Sequence, residues 1–364
     1  NFMYSNPLCR NVDFISQMKI DNLIISQITK KGRINVAEFI ELCQFSNDGY
    51  YINQDPIGQK NDFITSPEIS QMFGEIIGAY LINFWEKNIQ REFNLVELGP
   101  GKGTLIEDII RTAKINKDFL NSIKLFLIEK NESLIEKQKK KFSKLNIKNI
   151  TWLKDFDIKD KKPLIVFSNE FFDCFPIRQF FKKNQWYEQF IKYNSSQKIF
   201  HFESDQINDP ELLGILAKYN NAKIAEISNS RRNYFDKVCR SIKNNHGVFL
   251  TIDYGYKTLP KNFSLQTIHK HKKTHLFENL GNQDITAHVD FDELIKVAND
   301  NNLKLELFSN QREFLLGYGL KERKKQLQKN KDQTVSKKIE LDYERLVDKS
   351  QMGDIFKVLI TSCL

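Results

Sequence analysis

Between Phe14 and about Cys43 apolar residues recur at three- and four-residue steps, Leu23, Ile24 and Ile28 being followed by Val36, Phe39 and Ile40. That period predicts packing helices. Turn chemistry at Asp48-Gly49-Tyr50-Tyr51 and Asp55-Pro56-Ile57-Gly58 leads to Asp62-Phe63-Ile64-Thr65-Ser66-Pro67-Glu68, which reads as a helix start. Thr65 and Glu68 have capping-box spacing; alternatively Ser66 caps, with Pro67 at the first helical position. The apolar face Ile69, Phe73, Ile76, Ile77, Tyr80, Leu81, Phe84 carries that helix to about Glu86.

Strand and helix patterns then alternate: strand 94–98, helix 104–113, strand 124–128, helix 132–142, strands 150–153 and 164–167. Such alternation predicts an α/β fold with a mostly parallel sheet and helices on its faces. From Arg178 to about His201 short aromatic runs (Phe180-Phe181, Trp186-Tyr187, Phe190-Ile191, Ile199-Phe200-His201-Phe202) read as hairpins, hence as an insertion. Helices near 210–219 and 231–243 follow, and the apolar strand 247–252 returns to the sheet. The tail reads as a helix at 291–301, a strand at 304–308, a Lys-rich helical region and a last strand at 355–361. The expected division is an N-terminal helical region (1–90), a core of 91–175 with 245–364, and an inserted α+β subdomain at 176–244.

Composition narrows the class. The 364 residues, 40% hydrophobic and 12% aromatic, suffice for a sizeable core, and the 28% charged fraction excludes a collagen-like or wholly disordered chain. The longest apolar runs, such as Gly247-Val248-Phe249-Leu250-Thr251-Ile252, fall far short of the ~18 residues that span a bilayer, so no membrane insertion is expected. Five scattered cysteines with no C-x-x-C suggest neither a disulfide framework nor a cysteine zinc site. The formal net charge of +9 lies largely in Lys139-Lys140-Lys141 and the Lys/Gln/Asn-rich stretch from Lys321 to Lys338, which read as solvated helix faces without recourse to nucleic acid. His269, His271 and His275 sit among three lysines, with no carboxylate or cysteine ligand near, and read as a solvated loop rather than a metal site. The first residue is Asn, suggesting a trimmed or partial N-terminus, and the opening dozen residues carry no signal-peptide pattern.

The chemistry centres on Leu95-Val96-Glu97-Leu98-Gly99-Pro100-Gly101-Lys102-Gly103-Thr104-Leu105, a buried strand, a glycine turn and a helix start. A phosphate loop would need G-x-x-x-x-G-K-[ST], and a dinucleotide fingerprint would place its third glycine at Thr104. Both fit poorly. The acidic–x–G–x–G–x–G arrangement resembles motif I of class I S-adenosylmethionine-dependent methyltransferases, with Glu97, Gly99, Gly101, Gly103 and Thr104 as cofactor-binding candidates. Glu129, thirty positions past Gly99 at the end of the second strand, is placed to hold a ribose diol. Asp155 follows the third strand, where methyltransferases put an acid near the adenine amino group. For both acids a helix cap is the plainer alternative.

Residues 62–71, 96–105 and 169–176 (Asn169-Glu170-Phe171-Phe172-Asp173-Cys174-Phe175-Pro176) together resemble the MidA family, related to the mitochondrial complex I assembly factor seven. Asp253-Tyr254-Gly255, the block 284–291, Gln311-Arg312-Glu313-Phe314-Leu315 and Met352-Gly353-Asp354-Ile355-Phe356-Lys357 match later blocks in order, and the resemblance spans roughly 49–358. It implies a class I methyltransferase (Rossmann-like) fold with an insertion, S-adenosyl-L-methionine as cofactor, and a protein arginine N-methyltransferase forming symmetric dimethylarginine on a respiratory complex I subunit. A protein substrate is thus the implied partner, and a homodimer is compatible. The compartment would be the cytoplasm in a bacterium or the mitochondrial matrix in a eukaryote. Asn61, where the family usually has Gly, and Cys174-Phe175, in place of a smaller pair, depart from the pattern.

Open parallel sheets bind ligands outside the carboxyl ends of their strands, so Asn169 and Glu170 are expected to face the cofactor's methyl group. A carboxylate gripping a guanidinium bidentately can localise its charge and orient one nitrogen, the role expected of Glu170 with Asp173 assisting or capping a helix. Phe171 and Phe172 either stack on the cation or pack the core. His288 is a candidate proton acceptor, or a structural histidine near a helix start, and Asp253 points at the same sheet edge. Thr65, Ser66 and Pro67 are expected to offer amides to the cofactor's carboxylate. The competing reading is a chaperone-like assembly factor that binds a partner through the aromatic hairpins without catalysis.

Overall fold

In the computed structural model the described residues are 7–53, 65–144, 149–219, 221–258 and 260–364, with side chains from residue 19 onward. The turn expected at 55–58 and the start of the 62–68 segment lie outside them.

The N-terminal elements are α1 (Pro7–Lys31), β1 (Ile34–Asn35), α2 (Val36–Phe45), α3 (Tyr50–Asn53), α4 (Ser66–Ile69) and α5 (Gln71–Asn88). Next come β2 (Phe93–Leu98), α6 (Thr104–Ala113), α7 (Lys117–Ser122), β3 (Ile123–Ile128), α8 (Glu132–Lys144), β4 (Ile150–Leu153) and β5 (Leu164–Asn169). The middle carries β6 (Arg178–Lys182), β7 (Trp186–Asn194), β8 (Ile199–Gln206), α9 (Pro210–Leu216), β9 (Ile224–Ile227), α10 (Asn229–Asn245) and β10 (Gly247–Tyr256). Then follow β11 (Gln266–His269), β12 (Lys272–Lys273), β13 (Asp284–Thr286), β14 (Val289–Asp290), α11 (Phe291–Asp300) and β15 (Lys304–Asn310). The chain ends with α12 (Gln311–Gly317), α13 (Leu320–Gln328), α14 (Gln333–Val347), α15 (Met352–Ile355) and β16 (Phe356–Cys363).

Two compact units are built from interleaved segments. One comprises Asn1–Phe63, Cys174–Arg231 and Thr258–Ala287; the other Ile64–Asp173, Arg232–Lys257 and His288–Leu364. The boundaries expected at 90, 175 and 245 therefore shift, for reasons of packing. Residues 64–90 join the second unit because Met72, Phe73, Ile76, Ile77 and Leu81 of α5 share one core with Ile106 and Ile109 of α6. Most of α10 joins it too, the Phe235 ring lying 5.0 Å from that of Phe249 in β10. Conversely 258–287 belongs with the first unit, where Leu276, Leu280 and Ile285 close a core with Ile20, Ile24 and Phe39.

In the first unit the aromatic runs form the expected hairpins, β6, β7 and β8 pairing antiparallel in a sheet that also takes β1 and β9. The second unit holds the sheet β15-β16-β10-β5-β2-β3-β4, with β14 added to the end of β10. β4, β3, β2, β5 and β10 are mutually parallel, and β16 is antiparallel to both its neighbours. Counted in chain order the principal strands lie 3-2-1-4-5-7-6, so the order reverses between β2 and β5. β2 is buried along its whole length, as a central parallel strand flanked by helices on both faces must be. Among the described residues no helix is long and apolar enough to cross a membrane.

The helix expected from Ser66 to Glu86 is broken. Ser70 is extended (φ −156°, ψ 135°), and its hydroxyl accepts the Met72 amide at 3.3 Å, capping α5 as a new helix. The capping box at Thr65 does not form either: Thr65 occupies the N-cap without a side-chain bond, and the Glu68 carboxylate instead accepts the Thr104 hydroxyl. The strand expected to stop at Ile252 continues to Tyr256, because β14 and β16 extend its pairing.

Candidate active site

The glycine turn leaves β2 at the point where the strand order reverses. Gly99, Gly101 and Gly103 have φ of 64°, 54° and 69°, the left-handed region that side chains disfavour, and Gly103 is the N-cap of α6. A Cβ on Gly99 would lie 2.7 Å from the Phe171 ring, and one on Gly103 2.6 Å from the Phe142 ring. The turn is further clamped by Gln138 of α8, whose Nε2 donates to the Gly101 carbonyl at 2.7 Å while its Oε1 accepts Trp152 Nε1 at 2.8 Å. Sequence reasoning missed Gln138. Its signal was a fully buried amide on the apolar face of α8 shared by Leu134, Ile135 and Phe142.

Three acids stand at the carboxyl ends of neighbouring strands. Glu97 is 3% exposed, its Oε2 has no hydrogen-bond partner, and burial pushes its carboxyl up to about 8, helped by Glu129 and opposed by Lys141. Glu129 follows β3 and accepts the Asn131 amide at 3.0 Å; burial raises it to about 7 against the main-chain donors around it. Asp155 is exposed and sits below the usual carboxylate range. Burial works to raise it, but the Lys237 ammonium at 2.6 Å and the Phe156 amide at 2.8 Å outweigh that. No helix begins after Asp155, so the capping alternative fails there, and it fails for Glu129 as well, because α8 is capped by Asn131, whose Oδ1 accepts the Leu134 amide at 3.1 Å. Thr104 opens α6, and its hydroxyl also lies 3.5 Å from Lys141 Nζ.

Glu170 follows β5 with φ 52°, an uncommon conformation for a side-chain-bearing residue. Its carboxylate accepts the Ser66 amide at 3.2 Å, Asn169 Nδ2 at 2.9 Å and the Tyr254 hydroxyl at 3.3 Å. Burial pushes it up to about 7 and the negative charge of Asp253 adds to this, while the donors pull the other way. The Asn169 Oδ1 is buried without a partner. Ser66 and Asn169 thus meet at Glu170. This changes the expectation for the 65–67 segment: α4 is a single turn, and the Ser66 amide already serves the Glu170 carboxylate rather than pointing to a cofactor.

The remaining candidates are placed differently. Asp173 is 5% exposed and its amide donates to Asp253 Oδ2 at 3.3 Å; no helix follows it, which removes the capping alternative. Phe172 is fully buried against Phe235 and Phe249, so it packs rather than stacks on a cation. Phe171 is half-buried between Gly99 and Tyr234, ring centroids 5.3 Å apart for the latter. His288 is half-buried just before β14, whose Val289 pairs with Gly255. His269 bonds the Asn282 carbonyl at 2.7 Å.

A buried unpartnered carboxylate oxygen on Glu97 and a buried unpartnered amide oxygen on Asn169 stand beside the left-handed glycine turn, and both suit a ligand carrying amino, hydroxyl and cationic groups. Strand order, turn and acids define a class I methyltransferase fold that uses S-adenosyl-L-methionine. The sequence profile of an S-adenosyl-L-methionine-dependent methyltransferase family matches residues 76–309. The chain belongs to this family, the MidA methyltransferases. The human protein arginine methyltransferase NDUFAF7, mitochondrial, is 30% identical over 369 residues, 92% of this chain and 81% of that protein. The Caenorhabditis elegans NDUFAF7 homologue is 28% identical over 393 residues, 97% and 89% of the respective chains. Among solved structures, a COG1565 superfamily member from Burkholderia thailandensis bound to S-adenosyl-homocysteine shares the fold with a TM-score of 0.84 at 19% identity, covering 100% of this chain and 95% of that one.

Proposed function

We propose that this methyltransferase acts on the guanidinium of arginine in a protein substrate, and that Glu170 grips it. One observation carries the reading: a sequestered carboxylate held by three neutral donors, with no cation on it among the described residues. Burying an anion without a counter-charge is unfavourable, and a docked guanidinium relieves this while forming charge-assisted bonds. Such a grip localises the positive charge on the bound nitrogens and orients the remaining one. S-adenosyl-L-methionine, when bound, supplies an electrophilic methyl group on a sulfonium. Glu97, Gly99, Gly101, Gly103, Thr104, Glu129, Asp155 and Asn169 are the residues proposed to hold it. His288 remains the proposed proton acceptor on its position before β14.

The arginine reading is supported by the printed names of the relatives. Symmetric dimethylation, a complex I subunit as acceptor and a matrix location rest on the family resemblance and on relatives named as mitochondrial. The test uses extract from cells lacking this gene, methyl-labelled S-adenosyl-L-methionine and mass spectrometry. Wild type is expected to dimethylate arginine. Glu170→Gln is expected to bind S-adenosyl-homocysteine normally yet lose activity by roughly 30- to 1,000-fold, the equivalent of ~2–4 kcal/mol of transition-state stabilisation. Activity of Glu170→Gln within about threefold of wild type removes Glu170 from the mechanism. Absence of any wild-type methyl transfer favours a non-catalytic assembly factor.

A further inference from the structure

Asp253 lies inside β10 and is 0% exposed. One of its oxygens, Oδ2, accepts three consecutive main-chain amides: Phe171 at 3.2 Å, Phe172 at 2.8 Å and Asp173 at 3.3 Å. The other, Oδ1, accepts the Tyr254 amide at 2.9 Å. Successive amides converging on one oxygen form an anion cradle, here filled by a side chain of the same unit. The cradle is the segment that immediately follows Glu170.

Glu170 holds its left-handed conformation between two fixed ends. Its own amide donates to the Ile252 carbonyl at 3.0 Å, and the next amides are tied to Asp253. A strained residue persists only where its surroundings over-determine it. Adjacent residues of one strand do this at Glu170: Asp253 fixes the main chain after it, and Tyr254 bonds its carboxylate.

We propose that Asp253 is a positioning residue for methyl transfer, fixing the 171–173 main chain and thereby the aim of the Glu170 carboxylate. This rests on the role given to Glu170 above. Among the described residues the groups facing that carboxylate are Asp253 and Tyr254 from β10, Asn169 from β5 and Ser66 from α4, of which Asp253 carries charge. Its like charge holds the Glu170 proton on more tightly, after burial. Removing the charge therefore has two consequences: a looser loop, and a Glu170 that ionises at lower pH.

The test is Asp253→Asn, which keeps the shape and removes the charge. Initial rates are measured with methyl-labelled S-adenosyl-L-methionine and dilute extract from cells lacking this gene, so that the rate follows kcat/KM. The plateau is expected to fall roughly 10- to 100-fold through misorientation, with the acid limb moving to lower pH. The S-adenosyl-homocysteine dissociation constant, by calorimetry, is expected to stay within about threefold. An aspartate that only stabilises the fold would lower the rate without moving the limb, and that result overturns the proposal. Asp253→Ser is the second variant, with the same directions expected; failure of both to fold assigns Asp253 to the scaffold and also overturns it. The two readings separate cleanly. Full activity of Glu170→Gln defeats the grip, whereas an inactive Glu170→Gln beside an Asp253→Asn that matches wild type in rate and pH profile defeats positioning alone.

Discussion

Gly99 and Phe171 meet where β2 and β5 end, so close that a Cβ on Gly99 would stand 2.7 Å from the Phe171 ring. The glycine turn and the loop carrying Glu170 are therefore packed as one piece. Gly99 needs the absence of a side chain twice, for this contact and for its φ of 64°.

Gly99→Ala should disturb both parts of the site at once. Steric displacement of Phe171 together with the left-handed strain is expected to destabilise the protein by ~1–3 kcal/mol. Affinity for S-adenosyl-homocysteine should fall about tenfold or more, since the turn must shift to admit the methyl group. Denaturant unfolding and calorimetry read the two effects. Unchanged affinity would show that the ligand does not use this turn.

Much of the sheet was legible in the chain because buried parallel strands read as apolar runs at regular spacing: β2, β3, β4 and β5 begin within a residue of where those runs do. The glycine turn was legible for a related reason, its φ values demanding a residue type that can be counted. The donors around Glu170 were not. Ser66 is 104 positions away and Tyr254 is 84, and no local pattern encodes a pairing that only the sheet brings about. The break at Ser70 was missed because the apolar face continues across it, so periodicity hid a capping residue. The interleaving of the two units was equally silent, since 258–287 is joined to Ile20, Ile24 and Phe39 by packing alone.

Asp155 and Lys237 form an exposed ion pair at 2.6 Å, the side chains 55% and 43% exposed. Exposed pairs contribute little to stability, so Asp155→Asn is expected to change unfolding free energy by less than ~0.5 kcal/mol. If Asp155 holds the nucleoside, the same substitution should weaken S-adenosyl-homocysteine about five- to tenfold through loss of a charge-assisted bond. Lys237→Ala then separates the roles, because it removes the competitor for the carboxylate and should leave affinity unchanged or improved. A loss of affinity in Lys237→Ala equal to that in Asp155→Asn would mean that the pair acts as a unit.

Burial raises Glu97 in the folded state to about 8, well above its ordinary value of 4.5. The folded protein therefore keeps a proton that the unfolded chain gives up. The contribution of Glu97 is fully present below about pH 4 and is lost as pH rises toward 8. Glu97→Gln carries no titrating proton, so its melting temperature should fall less than that of wild type between pH 5 and 8. Parallel curves for the two proteins would mean that Glu97 ionises normally. S-adenosyl-homocysteine at saturation should shrink the difference if the unpartnered Glu97 oxygen gains a donor from the ligand.

Glu170 ionises at about 7 in the free protein and must be an anion to grip a guanidinium. The rate at low acceptor concentration, which reports the free enzyme, should rise tenfold per pH unit on the acid side and level off above about 7. With acceptor saturating, the guanidinium charge favours the carboxylate, so the limb in kcat should lie at lower pH than the limb in kcat/KM. That ordering is expected of a carboxylate that meets a cation, and also of any base whose protonated form the cation disfavours, so the ordering alone does not name the group. A general base that must be neutral to work, such as His288, would be opposed by a nearby guanidinium charge only through a downward shift of its own limb, and substitution of Glu170 would leave that limb in place. The full pH profile of Glu170→Gln therefore decides between them: loss of the limb together with the activity assigns it to Glu170, and its survival in the residual activity assigns it elsewhere.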